Sequence, residues 1–295
     1  MERTTVVTDS VATVPETLCR DLGILVVPLT IELDGVVYRD GVDLAPDDFY
    51  ARMRTSKLPP RTSQPSLGAW LEKFNEAAAE ADRILCLTLS AKLSGTYSSA
   101  VQAATIYSEE SPPGRFRPPL HVIDTGLGTV AEGWVVIEAA RAARSGAPFE
   151  DVLARARAVM ARAKILVAVD TMEYLARSGH VPRLVASTTG LLGLKPLIKF
   201  RDGDAVSAGV AASVEHAYDV MLRRLSEERR RVESEARRRA RLHVGVMHAG
   251  APVRGAELAE LVRRLEPDEL LMTGFTPVMG AHAGPGLFGV GYFAE

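Results

Sequence analysis

The sequence predicts an α/β protein of two domains, with a mostly parallel α/β sandwich over residues 1–163 and an α+β domain over residues 164–295. Three observations carry this. At 295 residues the chain is long for one small core and suits two of ordinary size. Its 47% hydrophobic and 24% charged residues place it among globular rather than disordered chains. In the first half, short β-rich runs alternate with amphipathic stretches, which calls for a largely parallel sheet covered by helices. The second half mixes hairpins with helices.

Thr4 to Thr8 reads as the first strand, followed by a helix over Pro15–Leu22. Ile24–Leu33 is β-rich and turns through Asp34-Gly35 into Val36-Val37-Tyr38, a hairpin signature. Ser66 is a natural N-cap for a helix to about Ala81, with Leu67, Trp70, Leu71 and Phe74 on one face. Arg83–Leu89 reads as a buried strand, Ser94–Tyr107 as a helix, His121–Ile123 as a strand and Thr129–Ser145 as a helix. Beyond the boundary near Ala163, Lys164–Val169 is a strand, and Leu197–Phe200 and Ala205–Val210 flank the turn Asp202-Gly203. A long helix over Ser213–Ala240 and a strand over His243–His248 follow. The segment Leu287–Phe293 fits either domain.

Composition excludes several functions. A formal net charge of -2 gives no global electrostatic case for nucleic acid or an anionic membrane. Arginines crowd between Arg223 and Arg241, but Glu227, Glu228, Glu233 and Glu235 interleave at spacings that favour pairs along one helix. Cys19 and Cys86 match no metal or disulfide pattern and read as reduced thiols in apolar surroundings. His121, His243 and His248 lie in strand-like stretches and indicate no metal. The opening Met1-Glu2-Arg3-Thr4-Thr5 lacks the features of a signal peptide, and no apolar run reaches the length that spans a bilayer. A cytoplasmic protein without stable membrane insertion is expected.

Three segments place hydroxyls, glycines or histidine where a strand feeds a loop or helix, the end at which open α/β sheets hold ligands. In Arg61-Thr62-Ser63-Gln64-Pro65-Ser66, Pro65 and Ser66 serve the following helix, leaving Thr62 and Ser63 as hydroxyl donors on a restrained loop. In Leu93-Ser94-Gly95-Thr96-Tyr97, Ser94 is an N-cap candidate. Gly95 permits close approach to backbone N–H groups at an anion-favouring helix start. No G-x-S-x-G elbow surrounds Ser94, so a serine hydrolase is not indicated. Gly280-Ala281-His282-Ala283-Gly284-Pro285-Gly286 sets a histidine beside a constrained turn without the pattern of a phosphate loop.

Over essentially its whole length the chain resembles the DegV family of fatty-acid-binding proteins. The resemblance rests on Val7-Thr8-Asp9-Ser10, Tyr38-Arg39-Asp40-Gly41-Val42-Asp43, Thr62-Ser63-Gln64-Pro65-Ser66 and Leu93-Ser94-Gly95-Thr96-Tyr97. It continues through Val122-Ile123-Asp124-Thr125, Glu173-Tyr174-Leu175, Lys195-Pro196-Leu197 and His282-Ala283-Gly284-Pro285-Gly286. It implies a ligand in the cleft between two domains. Thr62, Ser94 and His282 would hold the carboxylate of a long-chain fatty acid such as palmitate, with backbone support from Gly95 or Thr96. It implies no catalytic residue and no cofactor. In some relatives the bound acid is presented to a fatty acid kinase that forms an acyl phosphate, the partner supplying nucleotide and metal.

Two positions depart from the family pattern. His180, in Ser178-Gly179-His180-Val181, stands where the family usually carries arginine, and Ala212 falls where a second arginine associated with kinase docking is usual. Arginine offers phosphate a rigid fork that histidine does not. Arg177 or Arg183 would compensate for the first change. Two other functions therefore stay open: fatty-acid storage, transport or sensing without a kinase, and an enzyme for a small phosphorylated substrate using the 280–286 loop as its anion site.

Overall fold

The computed structural model describes residues 2–56, 58–109, 117–178 and 193–295. Its first half runs β1 (Thr4–Asp9), a 3₁₀ turn (Ser10–Ala12), α1 (Glu16–Leu22), β2 (Leu25–Val27), β3 (Thr30–Leu33), β4 (Val36–Arg39) and α2 (Pro46–Met53). It continues with β5 (Arg61–Ser63), α3 (Leu67–Ala78), β6 (Arg83–Thr88), α4 (Thr96–Glu109), β7 (Leu120–Asp124), α5 (Thr129–Arg144) and α6 (Phe149–Met160). The second half contains β8 (Lys164–Ala168), α7 (Glu173–Ser178), β9 (Lys195–Arg201), β10 (Asp204–Ala211), α8 (Val214–Ala236) and β11 (Leu242–His248). It closes with α9 (Pro252–Arg263), β12 (Glu269–Gly274), α10 (Pro277–Ala283) and β13 (Phe288–Ala294).

The α/β class expected from the alternation is what forms. A four-stranded sheet of order β2-β1-β6-β7 is parallel throughout. A six-stranded mixed sheet, β10-β9-β8-β13-β11-β12, uses only strands from Lys164 onward. The late strand β13 sits inside it, antiparallel to both β8 and β11. A three-stranded antiparallel sheet, β4-β3-β5, was only half visible in the sequence: the β3–β4 hairpin is legible, whereas Arg61–Ser63 is a strand rather than a loop.

Local chemistry sets the boundaries. Asp34 and Gly35 (φ 53 and 78), and Asp202 and Gly203 (φ 51 and 81), adopt paired positive φ, which matches a tight hairpin to the twist of its strands. The Ser66 hydroxyl accepts from Ala69 N at 3.1 Å and caps α3; Ser213 caps α8 through His216 N at 3.2 Å. Proline opens α2, α9 and α10, where its missing N–H costs nothing. Two expected boundaries shift. α4 begins at Thr96 rather than Ser94, and α8 stops at Ala236 because Arg237 turns to φ 50. Along α8, Arg224–Glu227, Arg231–Glu228 and Arg231–Glu235 pair within the helix, as the interleaved charges predict.

The sheets stack through helices. α3 and α4 cover the outer face of the parallel sheet with Trp70, Phe74 and Tyr107. α8 and α9 cover the outer face of the six-stranded sheet with Met221, Leu225 and Leu258. Between the sheets lies α5, buried on every side from Thr129 to Ala140 and touching β1, β6, β11 and β13. Apart from Glu132 and Glu138, its residues there are small or apolar on every side, the signature of such a helix. Glycine makes the fit possible. A Cβ on Gly133 would lie 2.4 Å from the carbonyl oxygen of Ala12, and one on Gly245 or Gly291 would lie 2.2 or 2.6 Å from Val130 methyls.

One end of α5 carries an ion-pair network. Arg141 bridges Glu138 and Glu269 at 2.7 and 2.6 Å, Arg155 pairs with Glu138 and Glu295, and His243 Nδ1 lies 3.2 Å from Glu269. Glu138, His243 and Glu269 converge closely enough to ligate a cation, but two guanidinium groups already occupy the carboxylates. Packing and charge balance account for the cluster.

Gly133→Ala gains helix propensity yet forces a methyl into the Ala12 carbonyl. We expect net destabilisation of about 1–3 kcal/mol in urea unfolding. A neutral or stabilising outcome would show that α5 can move off the 3₁₀ turn.

Candidate functional site

A cavity of about 190 Å³ opens where β1 and β6 end, at the point where the parallel sheet's strand order reverses. Val11, Leu89 and Leu93 form the wall on the parallel-sheet side. The six-stranded sheet supplies the facing wall through Ile165 and Val167, with Val169 just past the end of β8 and Ile198 and Phe200 alongside. Strand alternation explains this choice: Leu166 and Ala168, between those positions, face the outer core instead. α10 closes one side with Val278, Met279 and His282.

The predicted site residues meet here. Thr62, on β5 opposite Ile31, places its Oγ1 2.8 Å from His282 Nε2, across 220 residues of sequence. Which atom donates depends on the imidazole tautomer. Ser94 and Gly95 line the same cavity. Thr96 does not; it is buried behind Ser94, its Oγ1 2.9 Å from Ser94 Oγ, and its N–H donates to that oxygen at 3.3 Å. Gly95 allows the Thr62–Gln64 segment to close on the start of α4, since a Cβ there would sit 3.2 Å from Gln64 Cδ. His282 belongs to the last turn of a helix, not to the expected loop, so the turn proper begins at Gly284.

Outside the Thr62–His282 pair lies a second, open groove that shares both residues. Arg54, Arg61, Tyr174 and Arg177 line it. Arg177 is exposed and bonds Glu173 at 3.2 Å, so it is a rim residue of this groove and does not line the cavity. His180 and Arg183 lie outside the described residues. Ala212 is exposed at the end of β10, its N–H donating to His216 Nδ1 at 3.1 Å.

Sequence reasoning missed the residues that aim α10. Asp40 Oδ1 accepts from Val278 N at 3.0 Å, and its Oδ2 accepts from the Ser10 hydroxyl at 2.7 Å. Ser10 Oγ in turn accepts from Leu29 N at 3.2 Å, and Tyr50 OH donates to Phe275 O at 3.2 Å. Ser10 and Asp40 both fall in stretches that carry the family resemblance, which was the available signal. Burial pushes the Asp40 carboxyl up, opposed by the Ser10 and Val278 donors. Asp9, wholly buried, is pushed up to about 7 by burial, against the pull of the Leu89 and Val11 N–H groups that bind its two oxygens. It thereby ties the loop after β1 to the loop after β6. At the start of α5, Thr129 adopts φ 56, and its buried hydroxyl has no hydrogen-bond partner among the described residues.

A family model described as "uncharacterised protein, DegV family" matches residues 3–295. The chain belongs to the DegV family. A DegV domain-containing protein of Streptomyces coelicolor is 31% identical over 288 residues, covering 97% of this chain and 96% of its own. Among solved structures, the DegV-family protein of Thermus thermophilus, described for its fatty acid binding, superposes with a TM-score of 0.85 at 31% identity, covering 99% and 100% of the two chains. A fatty-acid (stearic acid)-binding protein from Eubacterium ventriosum superposes with a TM-score of 0.84 at 27% identity, covering 99% and 98%. Both match the α/β architecture of this DegV protein across its whole length. Among its described residues no helix is long and apolar enough to cross a membrane.

The Asp9 carboxyl yields a pH dependence. Its folded value, about 7, exceeds the ordinary 3.8, so the native state binds the extra proton and this group's contribution to stability is lost as pH rises from about 4 to 7. Asp40 and Glu132, also pushed up by burial, share the sign. Asp9→Asn is expected to flatten the fall in urea midpoint between about pH 5 and 7.5. An unchanged slope would mean that Asp9 is charged in the native state across that range.

Proposed function

We propose that this DegV protein binds one long-chain fatty acid, with the tail in the aliphatic cavity and the carboxylate at Thr62, Ser94 and His282. The observation that carries this reading is the Thr62–His282 pair at 2.8 Å on the wall of a cavity otherwise lined mainly by Leu, Ile, Val and Phe. A carboxylate in such surroundings needs donors, or it takes up a proton and becomes neutral. Thr62 can donate its hydroxyl proton to the acid while accepting from His282 Nε2–H, and Ser94 offers a second hydroxyl. The tail supplies most of the affinity, at about 0.8 kcal/mol per buried methylene before association costs. Aliphatic walls leave little for a small phosphorylated substrate to bond, and the 280–286 segment is helical through Ala283. The fatty-acid binding of the Thermus thermophilus and Eubacterium ventriosum relatives supports the same assignment.

Presentation of the head group to a fatty acid kinase is the second part of the proposal. The groove with Arg54, Arg61 and Arg177 supports it, because it reaches Thr62 and His282 from outside and adds positive charge where an acyl phosphate would form. Storage or transport without a kinase is the competing use of the same site.

Solvent extraction of purified protein followed by mass spectrometry should release a stoichiometric fatty acid, and Thr62→Ala/Ser94→Ala should lose it. Protein that releases no acid and takes up none when offered would defeat the proposal. For the kinase reading, Arg54→Glu/Arg61→Glu should lower acyl-phosphate formation by an added fatty acid kinase by about tenfold or more at unchanged lipid occupancy. Equal turnover, or none with either protein, would favour storage or transport.

A further inference from the structure

One rung of the six-stranded sheet meets the cavity at Ile165, Phe200 and Ala205. Gly245 on β11 pairs with Gly291 on β13, Gly291 with Ile165 on β8, and Phe200 on β9 with Ala205 on β10. The β8–β9 register, with Leu166 opposite Lys199, sets Ile165 beside Phe200 and completes the rung across five strands. The beginning of α5 crosses this line. Over the two glycines Val130 rests directly on the sheet, leaving no space. Over the other part, Gly128 lies against Phe200; a Cβ on Gly128 would be 3.4 Å from the ring and 3.6 Å from Val11.

The head-group end is elsewhere. Val169 and Leu287 line the cavity beside His282 and Ala283, and Val169 is four residues from Ile165, roughly 13 Å at about 3.3 Å per strand residue. A tail running along the inner face of β8 from the head group therefore arrives at the Ile165–Phe200–Ala205 rung. Among the described strands of this sheet only the edge strand β10 lies beyond Phe200, and it places the small Ala205, itself on the cavity wall, there. Phe200 itself is half-buried and packs against the core around the chamber.

We propose that Phe200, seated against Gly128, is the stop that sets the longest acyl chain this protein accepts. This rests on the fatty-acid assignment above and names the selectivity of that site. Both positions can be varied without backbone strain, because Gly128 is extended at φ -166 and Phe200 lies within strand β9. Removing the Phe200 ring lengthens the chamber toward the sheet edge; a large side chain at Gly128 fills its end.

The test offers delipidated protein an equimolar mixture of laurate, myristate, palmitate, stearate and arachidate, and measures the bound acids by mass spectrometry. Phe200→Ala should raise the ratio of arachidate to palmitate at least about tenfold over wild type, and Gly128→Leu should lower the ratio of stearate to myristate by a similar factor. Unaltered ratios in both variants at wild-type occupancy would overturn the stop while leaving fatty-acid binding intact. If wild type binds none of the acids, the underlying assignment fails instead. Should Phe200→Ala not fold, Gly128→Leu decides alone, since its backbone is already in a conformation open to any residue.

Discussion

Everything in this structure depends on a helix that two sheets share. α5 has no solvent face along most of its length, so the parallel sheet and the six-stranded sheet must both be shaped to receive it. Small residues do the shaping. The 3₁₀ turn lies against Gly133, and the central strands of the six-stranded sheet offer Gly245 and Gly291 to Val130. Because close packing tolerates so little displacement, these contacts fix the separation and angle of the sheets. The ends of β1 and β6 are thereby held over β8 and β9, and the aliphatic cavity is the space left between them.

The polar end of that space is held with equal rigidity by different means. Three elements from distant parts of the chain converge there: β5 with Thr62, the turn before α4 with Ser94, and α10 with His282. None is fixed by its own segment alone. Asp40 and Ser10 fasten the start of α10, and Tyr50 holds the strand-to-helix corner before it. A hydrogen-bonding group supported by buried partners keeps its orientation when its ligand changes, which is the condition for selective recognition of a small anion. The supporting carboxyls carry a cost, since burial raises Asp9 and Asp40 above the ordinary range.

What was legible in the sequence follows from the range of the forces involved. The hairpin turns, the caps Ser66 and Ser213 and the apolar α5 are local, and the pattern reveals them. Thr62, Ser94 and His282 were legible as a group only through family resemblance; their convergence depends on pairings such as Ile31 with Thr62 that no local period encodes. β5 has three residues, too few for alternation to register. The seven-residue α10 was hidden by the glycines at 280 and 284, although Pro277 at its start was a fair sign of a helix. α6 could have been found, since Phe149, Val152, Leu153, Ala156 and Val159 keep helical spacing. The cavity-lining residues could not. β8 is apolar on both faces because both are covered, so Ile165 and Leu166 look alike in sequence although they face opposite cores.

The place of β13 bears on how such a chain reaches its native state. This strand lies between β8 and β11, yet its residues follow those of β8 by more than a hundred positions. Until it arrives, β8 and β11 have no common neighbour, and the floor under the second face of α5 has Gly245 but lacks Gly291. A nascent chain that has already folded its parallel sheet would thus carry an uncovered apolar helix through most of the remaining synthesis. Pairings of such long sequence separation form slowly, and exposed helix faces of this kind recruit chaperones or one another. The shared helix that makes the finished cavity so well defined is therefore also the part of the molecule that waits longest for its partner.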